Sequence, residues 1–408
     1  MICGLLGRKL GHSYSPIIHQ ALGAKYSYGL FEVEPDGLAD FLQNGSFHGL
    51  NVTIPYKKDV IPFCAELSSE AASIGSVNTL LRRPGGELYG HNTDADGFSA
   101  MISKSGISVR GKKVLVLGNG GSSLTVRYVL ERMGAGEIVI ISRSGENNYE
   151  NLNRHSDGQI IVNTTPVGMY PETDNAPVSL DAFTGLEGVL DIIYNPSTTR
   201  LLMDAKEREV PCIGGLSMLV GQARAACELF IGKTIEKCDE QVAFDTLRRQ
   251  TETLVLIGMP GSGKTTVGKI LAEKMGREFF DADIVLEEEA GLSIPEIFST
   301  EGEAGFRLRE TEILKKLCKQ PGVVIATGGG CVTREENYFH LRQNGVIIFL
   351  ERPLGMLDRK GRPLSQGADL EKMYAARLPL YLRLADITVD CDSEPHTVAE
   401  NILKELVK

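Results

Sequence analysis

The chain has 408 residues, 42% of them hydrophobic, with 43 Lys and Arg against 53 Asp and Glu and a formal net charge of −10. At roughly 150 residues per domain this length suggests two or three domains, each able to bury a core without a disulfide or a structural metal. The negative balance argues against a general nucleic-acid or acidic-membrane surface, and a chain with no Trp and 6% aromatics is a poor base-stacking platform.

Small anionic substrates stay compatible with that charge, because a pocket can be locally basic. The eight cysteines include no C-x-x-C pair. Zinc spacing is therefore missing, and a reduced, cytoplasmic setting is expected. No basic segment followed by an apolar run opens the chain, and no stretch nears the roughly 20 apolar residues that span a bilayer. Neither a membrane nor a nucleic-acid partner is expected, and the oligomeric state is not readable.

In chain order, Gly11-His12-Ser13-Tyr14-Ser15-Pro16 comes first. It puts two hydroxyls on alternate residues before a helix predicted to start at Pro16, where hydroxyls and free N–H groups can hold a carboxylate. Gly49-Leu-Asn-Val-Thr53-Ile-Pro-Tyr-Lys57 reads as a strand ending at a Pro turn that presents Lys57. Ser76-Val-Asn78-Thr79 and His91-Asn-Thr-Asp94 add an amide and a carboxylate. A lysine near an aspartate can pass a proton to and from an alcohol while hydride moves at the adjacent carbon. Each residue alone is an ordinary turn, cap or surface residue; the cluster is what points to a site.

Apolar β-branched runs then recur: Lys113–Gly118, Glu137–Ser142, Gln159–Asn163, Gly188–Ile193, Thr253–Gly258, Val323–Ala326 and Gly345–Leu350. Their alternation with helical patterns predicts parallel α/β sheets throughout. Gly118-Asn119-Gly120-Gly121-Ser122-Ser123 follows one such strand and is an incomplete G-x-G-x-x-G, with Ser at its last position. Such a turn brings the backbone to a pyrophosphate at a helix N-terminus. After the next strand stands Arg143, where a ribose-reading residue belongs. Arginine there suits a 2′-phosphate and favours NADP(H) over NAD(H).

A polar stretch, 236–252, precedes the next strand and places the main boundary near residue 250. Gly258-Met-Pro-Gly261-Ser262-Gly263-Lys264-Thr265 then matches G-x-x-x-x-G-K-[ST] in full, between a strand and a helix. Its N–H groups converge on phosphate oxygens, Lys264 reaches the outer phosphates and Thr265 sits where Mg²⁺ binds, so ATP is the expected donor. Asp281 and Asp283 are read as two carboxylates pointing one way from an extended segment. One of them can help hold the metal and the other can assist deprotonation of an alcohol. Single arginines are most often solvated surface charges; several near Gly or Pro turns, in Gly305-Phe-Arg307, Gly361-Arg362-Pro and Arg377-Leu-Pro, shift the reading toward carboxylate and phosphate binding.

From about residue 1 to 250 the ordered pieces HSYSP, NVTIPYK, SVNT, HNTD, GNGGSS, NTTPVGM, DIIYNP and GGLSMLVGQ resemble shikimate dehydrogenase. The resemblance implies that Ser13 and Ser15 bind the substrate carboxylate and that Thr53, Asn78, Asp94, Tyr194 and Gln222 bind ring hydroxyls. Lys57 would be the catalytic proton donor and acceptor, paired with Asp94. Gly118, Asn119, Gly120, Gly121, Ser122 and Arg143 would hold NADP(H), with Thr165, Ile192 and Gly215 at the nicotinamide end. His12 would stand just behind the site. Two departures are Ala95, where glycine is usual, and a single basic residue after the second strand, where two are common.

From about Leu254 onward the set GMPGSGKT, DAD, GFR, ATGGG, GRPL and RLPLY resembles shikimate kinase. That implies shikimate binding by Asp283, Arg307, Gly329 and Arg377, and ATP binding by Gly261, Ser262, Gly263, Lys264, Thr265 and Thr266. Mg²⁺ would be held by Thr265 and Asp281, Lys264 and Asp283 would act in catalysis, and Arg362 would be the arginine of a lid shorter than usual.

The expected architecture is α/β: a substrate-binding lobe (1–97, with 215–248 returning to it), a Rossmann-type NADP domain (98–214), and a P-loop NTPase-type kinase domain with a parallel sheet (252–408). The expected function is reduction of 3-dehydroshikimate by NADPH, then phosphorylation of shikimate by ATP. A quinate/shikimate dehydrogenase fused to a kinase, and a regulatory protein that binds shikimate and ATP without turnover, are the competing readings.

Overall fold

A computed structural model describes residues 1–11, 13–357 and 370–406. The chain forms two compact units that divide between Arg248 and Arg249.

The first unit opens with strands β1 (Ile2–Gly7), β2 (Ser27–Glu32), β3 (Gly49–Val52), β4 (Cys64–Leu67), β5 (Thr79–Arg82) and β6 (Leu88–His91), arranged β2-β1-β3-β5-β6-β4. β5 runs antiparallel to both β3 and β6, against the expectation of parallel sheets throughout. The reason is local: Arg83-Pro-Gly-Gly-Glu87 joins β5 to β6, far too short for the crossover that a parallel pair needs. Helices α1 (Ser15–Ala21), α2 (Leu38–Asn44) and α3 (Ser69–Ile74) punctuate these strands. Leu38, Leu42 and Ala71 of α2 and α3 share one core with Leu6, Leu50 and Leu80 of the sheet.

Helix α4 (Asp94–Ser105) leads into a second sheet built from β7 (Lys113–Leu117), α5 (Gly121–Arg132), β8 (Glu137–Ile141), β9 (Ile160–Asn163), β10 (Gly188–Asp191), α6 (Arg200–Glu207) and β11 (Cys212–Gly214). Its order is β11-β10-β9-β7-β8, all parallel. Successive β7 residues serve opposite cores. Val114 and Val116 pack with Val126 and Leu130 of α5, while Leu115 and Leu117 pack with Val189 and Leu201. This is why the strand reads as a continuous apolar run.

Helix α7 (Leu216–Ile231) then crosses α4 at two glycines. A Cβ on Gly97 would lie 2.5 Å from the Met218 carbonyl oxygen, and one on Gly221 would lie 3.2 Å from Gly97 Cα. The polar stretch before the boundary is a helix, α8 (Lys237–Thr251). Its apolar edge buries Ala243 and Leu247 against Ile18 and Leu22 of α1 and Val220 of α7.

The second unit is one parallel sheet, β13-β14-β12-β15-β16, from β12 (Thr253–Ile257), β13 (Phe279–Asp281), β14 (Val324–Ala326), β15 (Gly345–Glu351) and β16 (Ile387–Asp390). Helices α9 (Lys264–Met275), α10 (Ala282–Ala290), α11 (Ile294–Leu317), α12 (Glu336–Arg342), α13 (Leu370–Leu384) and α14 (Pro395–Glu405) cover it. α9 and α14 share one core with Leu254 and Leu256 of β12, and α11 with Tyr381 of α13 shares the other with Val255 and Ile257. α11 bends at Gly302, where φ is 70°. In both parallel sheets the first strand, β7 or β12, lies between strands reached in opposite directions. That is the switch point at which α/β sheets open a crevice beyond their strand ends.

Candidate active sites

Two cavities stand where the topology puts them. In the first unit a cavity of about 370 Å³ opens beside β3, the start of α4 and the start of α7. It gathers Ser13, Ser15, Thr53, Lys57, Asn78, Asp94, Ser122, Ile192, Tyr194, Gly215 and Gln222 in one wall. These residues come from distant parts of the sequence; the returning helix α7 is what brings Gly215 and Gln222 to Lys57. Lys57 Nζ donates to Asp94 Oδ2 at 2.6 Å. Asp94 is the first residue of α4, where a carboxylate also meets the positive end of the helix dipole. Ser13 Oγ accepts from Ser15 N at 3.3 Å, so the two serines form a tight polar turn at the rim. The helix behind them begins at Ser15, one residue before the predicted start.

Gly118, Asn119, Gly120, Gly121, Arg143 and Thr165 stand outside that wall. Gly118 adopts φ 102°, open to glycine, and a Cβ there would come within 2.9 Å of Thr164 Oγ1. α5 starts at Gly121 with no side-chain cap, and a Cβ on Gly120 or Gly121 would meet nothing within 4 Å. Bare N–H groups at the start of a 12-residue helix fit a pyrophosphate. Arg143 lies exposed in the turn after β8, beside this helix start in the sheet order. Thr165 is held from behind. Asn163 Oδ1 accepts from its N–H and its hydroxyl at 3.0 and 2.7 Å, and Asn163 Nδ2 donates to Asp191 Oδ1 at 3.0 Å. Burial raises the Asp191 carboxyl to about 6, against hydrogen bonds from Thr199, Ile193 and Asn163 that favour its charged form.

In the second unit a cavity of about 460 Å³ is lined by Gly261, Gly263, Lys264, Thr265, Thr266, Asp281, Asp283, Arg307, Gly329 and Arg377. Ser262 completes the loop, its buried Oγ without a hydrogen-bond partner among the described residues. Lys264 Nζ folds back on the Gly258 and Met259 carbonyls, at 3.0 Å each. Thr265 Oγ1 donates to Asp281 Oδ2 at 2.6 Å. That hydroxyl and the Asp281 carboxylate are hard oxygen donors of the kind Mg²⁺ takes.

The extended reading of Asp281 and Asp283 needs correction. Asp281 ends β13 and caps α10, accepting from Asp283 N at 3.1 Å, so Asp283 projects from a first helical turn. The two still face one cavity. Burial, then the neighbouring Asp281 and Glu310 carboxylates, raise Asp283 to about 6 against the pull of Lys264 and Arg307. Arg307 and Arg377 sit on helices rather than in turns. Arg377 Nη1 donates to Gly329 O at 3.3 Å, and Tyr381 Oη donates to the same carbonyl. Arg362, with the rest of 358–369, lies outside the described residues, as does His12.

Several cavity residues were not singled out in the sequence. Glu310 is 1% exposed and binds Arg307 Nη1 at 2.7 Å. The i, i+3 spacing of this pair on a helix was its one signal. Arg352, just after β15, has its Nη1 3.6 Å from where a Gly263 Cβ would stand. In the first cavity Lys9, Tyr14, Asn51 and Met218 are likewise additions. Among the described residues no helix is long and apolar enough to cross a membrane.

A dinucleotide turn over a Lys–Asp pair and a complete phosphate loop over an Asp–Arg cavity define an oxidoreductase joined to a P-loop kinase. Residues 5–80 match the shikimate dehydrogenase substrate binding domain, and residues 260–407 match shikimate kinase. The shikimate dehydrogenase (NADP(+)) of Clostridium beijerinckii is 39% identical over 246 residues, 56% of this chain and 90% of that protein. A chorismate mutase/shikimate 5-dehydrogenase fusion protein from Clostridium acetobutylicum superposes with a TM-score of 0.58 at 36% identity, covering 60% of this chain and 96% of that one. The Thermus thermophilus shikimate 5-dehydrogenase, solved with NADP(H) and shikimate, gives a TM-score of 0.55 at 29% identity, covering 60% and 99%. The chain belongs to the shikimate dehydrogenase family through its N-terminal part and carries a shikimate kinase domain at its C-terminal end.

Proposed function

We propose that this chain reduces 3-dehydroshikimate to shikimate with NADPH and then phosphorylates the 3-hydroxyl of shikimate with ATP. The reading assigns residues 1–97 and 215–248 to the substrate lobe, 98–214 to the NADP domain and 252–408 to the kinase, in a cytoplasmic enzyme. The observation that carries it is the Lys57–Asp94 pair at 2.6 Å on a wall shared with Ser13, Ser15, Asn78 and Gln222. Bound NADPH supplies the hydride. Lys57 delivers a proton to the carbonyl oxygen as that hydride reaches its carbon, and Asp94 holds the ammonium in place. Ser13 and Ser15 hold the carboxylate, while Thr53, Asn78, Tyr194 and Gln222 orient the ring.

In the kinase the loop amides, Lys264 and Thr266 bind the triphosphate; Thr265 and Asp281 would hold Mg²⁺, which would supply positive charge against the phosphates. Asp283 accepts the proton of the attacking hydroxyl; Arg307 and Arg377 hold the acid's carboxylate. The two half-reactions are assayed separately, each with its own substrates. NADPH is expected to outperform NADH, and Arg143→Ala to narrow that gap. Absence of both turnovers, with the fold intact, would favour a ligand-sensing protein, and equal turnover of quinate would favour the broader dehydrogenase.

A further inference from the structure

Asn78 lines the first cavity with a carboxamide whose two ends could present either a donor or an acceptor. Its Oδ1 accepts from the Thr93 backbone N–H at 2.7 Å. A backbone N–H only donates, so the oxygen end faces Thr93. The hydroxyls of Thr93 and Thr79 approach the same oxygen at 3.1 and 3.0 Å. Those two hydroxyls also lie 3.0 Å from each other, so with its oxygen held by the Thr93 N–H and a neighbouring hydroxyl Asn78 has its NH₂ left for the cavity that it lines.

The Thr79 hydroxyl is itself oriented from further inside. Asn51 Nδ2 donates to Thr79 Oγ1 at 3.3 Å. Asn51 Oδ1 accepts from Tyr28 Oη at 2.7 Å and pairs with His19 Nε2 at 3.2 Å. The other nitrogen of His19 meets Tyr26 Oη at 2.6 Å, and its ring stacks on Tyr28 with centroids 4.1 Å apart. His19 is 1% exposed, Asn51 5% and Thr79 1%. In such a dry interior each group must find its partner, so turning one carboxamide over would leave several groups unpaired.

We propose that His19, Asn51 and Thr79 are positioning residues: a buried relay that runs one way, each member donating to the next, and locks Asn78 as an obligate hydrogen-bond donor to a substrate oxygen. The relay makes the pocket selective for a ligand with a hydroxyl or carbonyl oxygen at that point, and poor for one offering an ammonium or amide N–H. None of the relay residues is required to touch the reacting carbon, so its loss is expected in substrate affinity rather than in the chemical step. The proposal rests on the dehydrogenase reading above.

The test compares the full chain with its Thr79→Val, Thr79→Ser and His19→Phe variants in NADPH-dependent reduction of 3-dehydroshikimate. Thr79→Val keeps the shape and removes the hydroxyl. It is expected to raise the substrate KM about five- to tenfold, the worth of one hydrogen bond, with kcat within about threefold and the KM for NADPH unchanged. Thr79→Ser restores the hydroxyl and is expected to bring the substrate KM back. His19→Phe keeps the stacked ring and removes both nitrogens, so it reports on the relay from its far end and is expected to raise the same KM. An unaltered substrate KM in a folded Thr79→Val chain overturns the proposal, as does equal damage to kcat and both KM values with no recovery in Thr79→Ser. Should Thr79→Val not fold, an unaltered substrate KM in His19→Phe overturns it. A parent chain that reduces no 3-dehydroshikimate overturns the dehydrogenase reading itself and leaves the relay nothing to position.

Discussion

Lys57 and Asp283 carry most of the proposed chemistry, Glu310 holds Arg307, and each of the three makes a prediction of its own. Lys57→Ala removes the proton donor while leaving the cavity wall in place. Reduction is expected to fall by at least about a hundredfold, the lower end of what general acid catalysis contributes, while phosphorylation of added shikimate persists. Asp283 predicts a pH limb. Raised to about 6 by burial, it is the proton-accepting carboxylate only above that pH. The kinase kcat/KM for shikimate is therefore expected to fall as pH drops through about 6, and Asp283→Asn to abolish both rate and limb. The stability effect has its own sign: a carboxyl raised from 3.8 to about 6 binds its proton more tightly when folded, so its contribution is greatest below 3.8 and is lost as pH rises through 6. At neutral pH the ionised Asp283 is thus a cost, and thermal melts of Asp283→Asn are expected at or above the parent temperature. Burial raises the Glu310 carboxyl as well, but Glu310 is held in an ion pair. Removing it leaves the guanidinium of Arg307 buried without its 2.7 Å partner, a loss of about 3–5 kcal/mol measurable by denaturant unfolding.

Among the elements, the α4–α7 crossing matters most to the first site. Asp94 begins α4, and Gln222 lies one residue beyond Gly221, where α7 touches α4. Gly97→Val has no room against the Met218 carbonyl. It is expected to cost about 1–3 kcal/mol and to depress reduction by separating Asp94 from Gln222, with phosphorylation retained. What could be read beforehand follows from this. Elements with strong local signals were legible: β7 and β12, buried on both faces, announce themselves as apolar runs, and the two glycine turns follow them directly. Less legible was whatever depends on distant partners. The direction of β5 turns on a short connection, and Asp283 on where a strand yields to a helix. The Arg307–Glu310 pair looks like any surface i, i+3 pair until the rest of the core encloses it. Asn51 carries no local signal, because its hydrogen bonds reach His19 of α1, Tyr28 of β2 and Thr79 of β5, all distant in sequence.

For the whole molecule, the two cavities belong to separate compact units, each with its own core and its own nucleotide loop. Lys264→Ala is accordingly expected to end phosphorylation and spare reduction, the mirror image of Lys57→Ala; loss of both activities in either variant would show the sites to be interdependent. A net charge of −10 coexists with proposed ligands that are all anions, so under the proposed function recognition would be concentrated in Lys57, Lys264, Arg307, Arg377 and the backbone amides of α5 and α9. The most direct test supplies the purified chain with 3-dehydroshikimate, NADPH, ATP and Mg²⁺, following NADPH absorbance and phosphorylated product together. The account predicts that NADPH is oxidised and shikimate 3-phosphate accumulates in matching amounts. NADPH oxidation with shikimate left unphosphorylated, or no oxidation at all, would contradict it.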